Sequence, residues 1–177
     1  YPPAMEGVEL GYTWSFMYPT TTLATADGTR EYDLPDLFQQ IDGDFHYKED
    51  VFWQSITHVS EARMLELIEY TEDEDKPRYF TTRAKDSTGS GGQRWEVVFW
   101  PEPDAIYTLT YRYKAYAGKL DAVTYPHPLG GMQYGECIIE SCLAVAEMRG
   151  NDEAGFHQER FMTLLASAVA QDRRQSA

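Results

Sequence analysis

Apolar and polar residues alternate along much of the first two-thirds of the chain, with the two-residue period of β-strands. The pattern is clearest in residues 94–116, RWEVVFWPEPDAIYTLTYRYKAY. Pro101 and Pro103 cannot donate hydrogen bonds to a strand ladder, so they belong to a turn between two strands. The segment therefore predicts an antiparallel β-hairpin with one buried and one solvent-facing side, or a tyrosine-rich binding face as the alternative. The apolar positions are Trp95, Val97, Phe99, Ile106, Tyr107, Leu109, Tyr111, Tyr113 and Tyr116.

Shorter runs of the same kind predict further strands. Asp27-Gly28 stands between two of them, a strong signal for a second hairpin. After Pro35 we expect one helical turn, then extended structure near residues 45–48 and strands within 51–60 and 78–85. The glycine-rich residues 86–93 predict a hairpin connection and no phosphate site, because a strand follows them where a phosphate-binding loop would open a helix.

Helical spacing predicts three helices. Ser60 and Glu61 are typical of a helix start and favour a short helix over about 60–70. A second helix is predicted over 132–149, with Gly150 at its end, and a third continues to Asp172. The predicted apolar stripes are Ile138, Ile139, Cys142, Leu143, Val145 and Ala146 on the second helix, with Glu136, Glu140 and Glu147 outside it, and Phe161, Leu164, Leu165, Ala168 and Val169 on the third.

The last two helices are predicted to be antiparallel neighbours, because their connection is short. Their apolar area is too small to be stable alone, so the pair needs further helices or another subunit. The pattern predicts an α+β fold with an antiparallel β-rich domain and a C-terminal antiparallel helix hairpin. The expected divisions are an extended N-terminal segment over 1–12, a β-rich domain over 13–117, a Pro/Gly-rich linker over 118–131 and the helical hairpin over 132–174.

Composition narrows the possible functions. The 177 residues include 15 Lys and Arg against 29 Asp and Glu, a net charge of −14. Such acidity disfavours tight binding to nucleic acid or to an anionic membrane, although a repelling wall would let a DNA duplex slide past. No apolar run approaches the roughly 20 residues that span a bilayer. Cys137 and Cys142 point too far apart on a helix for a disulfide, and we expect two buried thiols of a reducing compartment.

Candidate chemistry is sparse. The histidines lie in elements of different type without companion ligands, and the acidic run over 72–75 is typical of a solvated loop. No serine stands in a Gly-x-Ser-x-Gly motif. The sequence therefore argues against an enzyme and predicts no cofactor and no metal. The alternative is a β-sandwich carbohydrate-binding or hydrolase-like domain, which would need Trp53, Trp95 or Trp100 exposed beside paired carboxylates. The histidines are His46, His58, His127 and His157.

Four segments together resemble one known family over nearly the whole chain. They are residues 1–38, YPPAMEGVELGYTWSFMYPTTTLATADGTREYDLPDLF; 92–116, GQRWEVVFWPEPDAIYTLTYRYKAY; 125–147, YPHPLGGMQYGECIIESCLAVAE; and 152–174, DEAGFHQERFMTLLASAVAQDRR. The chain resembles the head-to-tail connector, or adaptor, proteins of tailed bacteriophages. An N-terminal helical segment normally precedes the Tyr-Pro-Pro stretch in that family, whereas this numbering opens at Tyr1. We expect either that it starts inside a longer protein or that processing removed the front.

The resemblance implies a β-rich domain inserted in a helical bundle and a structural virion protein without catalysis. Such adaptors form a ring, commonly of twelve copies, that joins the portal protein to the tail nozzle or tail tube. Double-stranded DNA passes the ring's channel during packaging and ejection without specific binding. The implied location is the head-tail junction of the virion, after assembly in the host cytoplasm and with no membrane.

The resemblance also suggests where contacts lie. We expect the charged residues of the last helix to face the portal, or else to form an ordinary solvated helix face. The aromatic residues of the predicted hairpin are expected to form core and subunit interface. These candidates are Glu159, Arg160, Arg173, Arg174, Trp95, Trp100, Tyr111 and Tyr113.

Overall fold

The chain forms two compact units in a computed structural model. The model describes residues 12–48, 55–70, 73–85, 93–116, 120, 123, 126–151 and 155–175. One unit combines Tyr1–Met17 with Ala117–Ala177, and the other is Tyr18–Tyr116. The fold is α+β, with sheets that are mainly antiparallel and a pair of helices at the C-terminal end.

The unit Tyr18–Tyr116, called the β unit below, holds eight described strands and one helix. The helix, α1, spans Glu61–Tyr70. The strands are β1 Thr20–Ala24, β2 Glu31–Asp33, β3 Phe38–Ile41, β4 His46–Tyr47, β5 Thr57–His58, β6 Tyr79–Ala84, β7 Trp95–Trp100 and β8 Thr108–Ala115.

Two four-stranded sheets build the β unit. In the first, β8 pairs with β1 on one edge and with β3 and β4 on the other, always antiparallel. In the second, the order is β2-β7-β6-β5, and only β5 runs parallel to its neighbour. An antiparallel bridge between Phe45 and Ile56 connects the strand region of β4 to that of β5. Backbone pairing between the two sheets is therefore made at that bridge.

Both predicted hairpins are wrong in their pairing, although their strands exist. β7 and β8 lie in different sheets, and so do β1 and β2. The connection after β7 bonds to other loops: Glu102 N donates to the carbonyl of Asp73, and Pro103 accepts from Gly28 N, each at 3.0 Å. Gly28 has a φ of +67°, which suits the turn after β1, but the turn leads the chain across to the second sheet.

The expected helical turn after Pro35 is likewise wrong. Phe38 N donates to the Pro35 carbonyl at 2.9 Å in a tight turn, and the chain then enters β3. The strand expected within 51–60 is present as β5 at Thr57–His58, while residues 51–54 lie outside the described part. The strand expected over 78–85 is confirmed as β6. Of the glycine-rich connection expected over 86–93, residues 86–92 also lie outside the described part.

Phe45 stands at the centre of the β-unit core. Its ring is fully buried and lies 4.8 Å from that of Phe80, 5.2 Å from that of Phe99 and 4.5 Å from that of Tyr111, centre to centre. Aromatic side chains contribute large buried areas, so this cluster explains how a sheet with short strands stays together.

The predicted alternation holds for β8 and fails for β7. Leu109, Tyr111, Tyr113 and Ala115 of β8 are buried in turn, as expected. In β7 both faces are buried, because Val98 packs inside and Glu96 is covered. Arg83 Nε holds the Glu96 carboxylate at 2.6 Å. Because Arg83 pairs with it, the charged side chain of Glu96 can be buried on the face of β7 that the alternation predicts to be exposed to solvent.

The helix predicted over about 60–70 is confirmed as α1. Ser60 Oγ accepts a hydrogen bond from Arg63 N at 3.3 Å, the interaction of a helix cap. Met64 is buried against the β unit, whereas Leu65 is exposed.

The second unit, called the helical unit below, has two long helices and two short 3-10 turns among its described residues. The turns are Ser15–Met17 and Met132–Tyr134; the helices are α2 Gly135–Asn151 and α3 Phe156–Gln175. Gln171 donates to Gln133 at 2.8 Å, and Glu147 accepts from His157 N at 3.2 Å, so the helices are antiparallel. The predicted helix end at Gly150 is wrong, because α2 continues through it to Asn151.

Candidate interaction surface

The interior of the helix pair is polar as well as apolar. Glu140 on α2 is buried, and its carboxylate lies 2.8 Å from His157 Nδ1 and 3.2 Å from Arg160 Nε on α3. Arg160 also bonds Glu136. The carboxylates that the helical pattern placed outside the apolar stripe therefore join the two helices.

Most of the predicted apolar stripe of α2 is exposed as a consequence. Ala144 and Glu140 are the buried residues of α2, while Ile139, Leu143 and Val145 are exposed. The expectation of two buried thiols is also wrong, because Cys142 is exposed and Cys137 is only half-buried, both free. Sequence spacing identified the apolar stripe of α2, and the structure leaves most of that stripe exposed.

A buried carboxylate ties the N-terminal segment to α3. Asp172 is 1% exposed and accepts hydrogen bonds from Ser15 Oγ at 2.6 Å, Ser15 N at 3.0 Å and Tyr12 Oη at 2.7 Å. Burial alone raises the pKa of Asp172, but the hydrogen bonds from Ser15 and Tyr12 outweigh it, and the pKa lies below its usual value. Burial and then Asp172 itself raise the pKa of Tyr12.

An aromatic cluster lies beside this carboxylate. The Tyr134 ring packs 5.5 Å from that of Trp14 and 5.1 Å from that of Phe16, centre to centre. Gly130, at φ +87°, comes so close to Tyr134 and Phe16 that a Cβ there would lie 2.6 Å from the Tyr134 ring. The glycine is needed for both its backbone conformation and the lack of a side chain.

The same cluster forms one wall of an open apolar pocket of about 300 Å³. Helices α2 and α3 form the opposite wall. A volume of this size accommodates one or two large side chains. The principal lining residues are Trp14, Phe16, Tyr134, Ile138, Phe161 and Leu165.

The charged candidates on α3 have different environments. Arg160 is engaged with Glu136 and Glu140, and the Arg173 guanidinium lies 5.5 Å from the centre of the Tyr12 ring. Arg174 is exposed and donates from Nε to the Ala170 carbonyl, and Glu159 is exposed near the start of the helix. Contact of these four with a portal stays a prediction.

The aromatic candidates lie within the β unit. Tyr111 is 4% and Tyr113 9% exposed, so both side chains belong to the core of the β unit. Trp95 and Trp100 are half-buried, the first beside Phe38 and the second stacked on Tyr79. Their part in a subunit interface stays a prediction. Trp95 and Trp100 are not the open platform that carbohydrate stacking requires, and Trp53 lies outside the described residues.

Possible metal ligands are not grouped in the part of the chain that the structure describes. Within that part, no three His, Cys, Asp or Glu side chains are grouped to hold a metal ion. The chain described also lacks a helix long and apolar enough to cross a bilayer.

Surface ion pairs join Arg83 to Glu31 and Lys85 to Asp33 across the sheet, an arrangement typical of a stabilised outer face.

Sequence reasoning missed the residues that organise the helical unit. The sequence predicts Asp172 only as the end of a helix. It places Tyr12 in the extended N-terminal segment and Trp14 and Ser15 in the β-rich domain. One feature of the sequence indicates a buried carboxylate. Asp172, directly before Arg173-Arg174, stands at the helical position where the apolar stripe of α3 would continue.

The family model described as SU10 adaptor protein matches residues 8–177. No curated protein matches the chain at a significant level.

Proposed function

The chain belongs to the SU10 adaptor protein family, whose model covers nearly all of it, and from that premise we propose that it is a subunit of the ring joining the portal to the tail in a phage virion. The family is a phage adaptor family, and a structural role in the virion follows from it. The proposal adds the ring, its partners and the DNA channel. Twelve copies, a portal above and a tail nozzle or tail tube below make up the proposed assembly.

The observation that carries the proposal is the exposed apolar side of α2. Ile139 is 59% and Leu143 40% exposed on a helix whose other side already contacts α3. An apolar helix face that is exposed on a subunit is typical of a surface that a partner covers. A subunit built to be surrounded by other subunits explains this feature, and a monomeric enzyme does not.

The proposed layout inserts the β unit in the helical unit. The segments before Tyr18 and after Tyr116 belong to one compact unit, and the β unit is the chain between them. We propose that one of these compact units contacts the portal and the other the tail side. We propose that the helical unit carries the portal contact through Glu159, Arg160, Arg173 and Arg174, with Trp95 and Trp100 of the β unit as interface candidates.

The charge supports a channel role. A net charge of −14 on each copy becomes large when summed around a ring. A negative channel wall repels phosphates, so DNA passes during packaging and ejection without adhering. No chemistry is required of the protein in this role, and we propose that it catalyses no reaction.

The test is assembly on purified portal rings of the same phage. The chain is mixed with portal rings, the complexes are separated by sedimentation, and negative-stain or cryo-electron microscopy is used to look for an added ring on the portal axis. An added ring is the expected result. Failure to co-sediment with the portal, or density for the chain away from the axis, would overturn the proposal.

A matched variant shows whether the proposed portal-facing charges matter. Arg174→Glu reverses an exposed charge at the end of α3 and is expected to weaken co-sedimentation. Lys114→Glu, on β8 of the β unit, makes the same change of charge elsewhere and is expected to leave portal binding unchanged. Equal loss with both variants would show that net charge, and no particular contact, controls the binding.

A further inference from the structure

An alternating run of residues ends at the wall of the apolar pocket in the helical unit. The run VELGYTW, which ends at Trp14, alternates between large apolar or aromatic residues and small or polar ones. This period is typical of an extended chain with one side against protein and the other toward solvent. The described end of the run follows the rule, because Tyr12 and Trp14 are half-buried and Thr13 between them is exposed. The same period places Val8 and Leu10 on the inward side.

The inward side of this run meets α3 and the pocket. The Tyr12 hydroxyl donates a hydrogen bond to Asp172 of α3, 2.7 Å away, and Trp14 lines the pocket. Ala168 and Leu165 of α3 line the same pocket and precede Asp172 by about one and two helical turns. A chain that continues from Tyr12 along this part of α3 therefore runs beside the apolar lining of the pocket.

We propose that residues 8–11 follow α3 back from Tyr12 and fill the pocket with the side chains of Leu10 and Val8. The occupant of the pocket is then a segment of the same chain, tethered at Tyr12. A tethered segment is present at a high effective concentration, so it outcompetes a free partner of similar affinity. The inference goes beyond the proposed function and does not depend on it.

The spacings of an extended chain and of a helix agree with this placement. Two extended residues advance about 6.6 Å, and four helical residues advance about 6 Å. Counting back from the hydrogen bond to Asp172, the next inward residue, Leu10, comes level with Ala168. Val8, two residues earlier, comes within one residue of the level of Leu165. Both inward side chains therefore reach the apolar lining.

This placement separates two apolar surfaces of α2. Cys137 and Ile138 line the pocket, whereas Ile139 and Leu143 are exposed. The first pair is covered within the subunit, and the second stays available to another subunit.

The native Cys137 provides a direct test, because it lines the pocket from α2. It lies near the level of Ala168 on α3, since Gln133 contacts Gln171 about one turn away. Leu10 is placed at that same level. A cysteine at position 10 should therefore meet Cys137 across the pocket.

Leu10→Cys is made in a Cys142→Ala background, which leaves Cys137 as the other thiol. The matched control is Glu9→Cys in the same background, because adjacent residues of an extended chain point to opposite sides. Each full-length protein is oxidised at low concentration. Disulfides are identified by peptide mass spectrometry and on a non-reducing gel.

A disulfide needs Cα atoms about 4.4–6.8 Å apart, so its formation reports close approach of the two positions. We expect most of the Leu10→Cys protein to form an internal disulfide with Cys137, and little of the Glu9→Cys protein to do so. Far-UV circular dichroism of the reduced proteins checks that both are folded.

A second pair keeps the test informative if Leu10→Cys does not fold. Val8→Cys is combined with Ser141→Cys, a pocket-lining position one helical turn after Cys137, with both native cysteines replaced by alanine. An internal disulfide is again the expected result.

Two outcomes would overturn the inference. Equal disulfide formation by Leu10→Cys and Glu9→Cys, whether high or low, would show that the segment has no fixed place in the pocket. A disulfide-linked dimer would show that the pocket receives the segment of another copy. Neither outcome changes the adaptor role, which sedimentation with portal rings measures separately.

Discussion

Ser15 donates a hydrogen bond from its hydroxyl to Oδ1 of Asp172, 2.6 Å away, and so connects two ends of the chain that are 157 positions apart. The backbone N–H of Ser15 bonds Oδ2 of the same carboxylate at 3.0 Å. The 3-10 turn Ser15–Met17 is thus held by a side chain of α3. This single carboxylate fixes the segment that leads out of the helical unit into the β unit.

Replacing Asp172 should therefore destabilise the helical unit. Asp172→Ala leaves the Ser15 and Tyr12 donors without their acceptor, and hydrogen bonds to a charged group contribute about 1.5–3 kcal/mol each. We expect a loss of at least about 2 kcal/mol in the free energy of unfolding, measured by urea titration with far-UV circular dichroism. Glu159→Ala on the same helix removes an exposed carboxylate and should change it by less than about 0.5 kcal/mol. Equal effects would contradict the assignment.

The same carboxylate predicts a pH dependence. Its pKa is lowered in the folded chain, so its contribution is complete above the pKa of the unfolded chain, 3.8, and is lost as pH falls through the folded value. The difference in unfolding free energy between wild type and Asp172→Asn should be largest near pH 7 and shrink below about pH 4. Asp33 and Asp75 also have lowered pKa values and are common to both proteins, so they cancel in the difference. A difference that is constant down to pH 3 would contradict it.

Local signals sufficed for most elements of the fold. The cap at Ser60 predicts α1 because the interaction is complete within four residues. The alternation of Leu109, Tyr111 and Tyr113 predicts β8 because one face of that strand meets the core. The C-terminal helix pair follows from spacing and a short connection. Each of these depends on neighbours in the sequence.

Strand pairing and the orientation of α2 could not be obtained in this way. The Pro-Glu-Pro-Asp segment reads as a hairpin turn, yet Glu102 bonds to Asp73 and Pro103 to Gly28, partners that are distant in sequence. Spacing shows that α2 has an apolar stripe but cannot tell which side meets α3. His157 and Arg160 decide that point by binding Glu140.

Phe45 should be the most sensitive position of the β unit. It is fully buried among Phe80, Phe99 and Tyr111, and truncating a buried Phe costs about 3–5 kcal/mol. Phe45→Ala should lower the free energy of unfolding of the β unit by that amount, followed by near-UV circular dichroism. Tyr70→Ala removes an aromatic ring that is 86% exposed and is expected to cost less than about 1 kcal/mol. Similar losses in the two variants would show that Phe45 does not anchor the core.

Glu140 should be required for the pairing of α2 with α3. Its carboxylate is buried and bound by His157 and Arg160, and Glu140→Gln removes the charge that these two side chains bind; hydrogen bonds to a charged group contribute about 1.5–3 kcal/mol each. Glu140→Gln is expected to lower the thermal midpoint of the helical unit strongly, measured by far-UV circular dichroism.

Glu136 supplies the matched control, because it binds the same Arg160 from an exposed position. Exposed ion pairs contribute about 0–1 kcal/mol, so Glu136→Gln should have a small effect. A double variant, Glu140→Leu with Arg160→Leu, removes the buried carboxylate together with this partner and should be more stable than Arg160→Leu alone, which leaves the buried Glu140 charge without Arg160. Loss as large in Glu136→Gln as in Glu140→Gln would show that burial of Glu140 is not what gives the ion pair its importance.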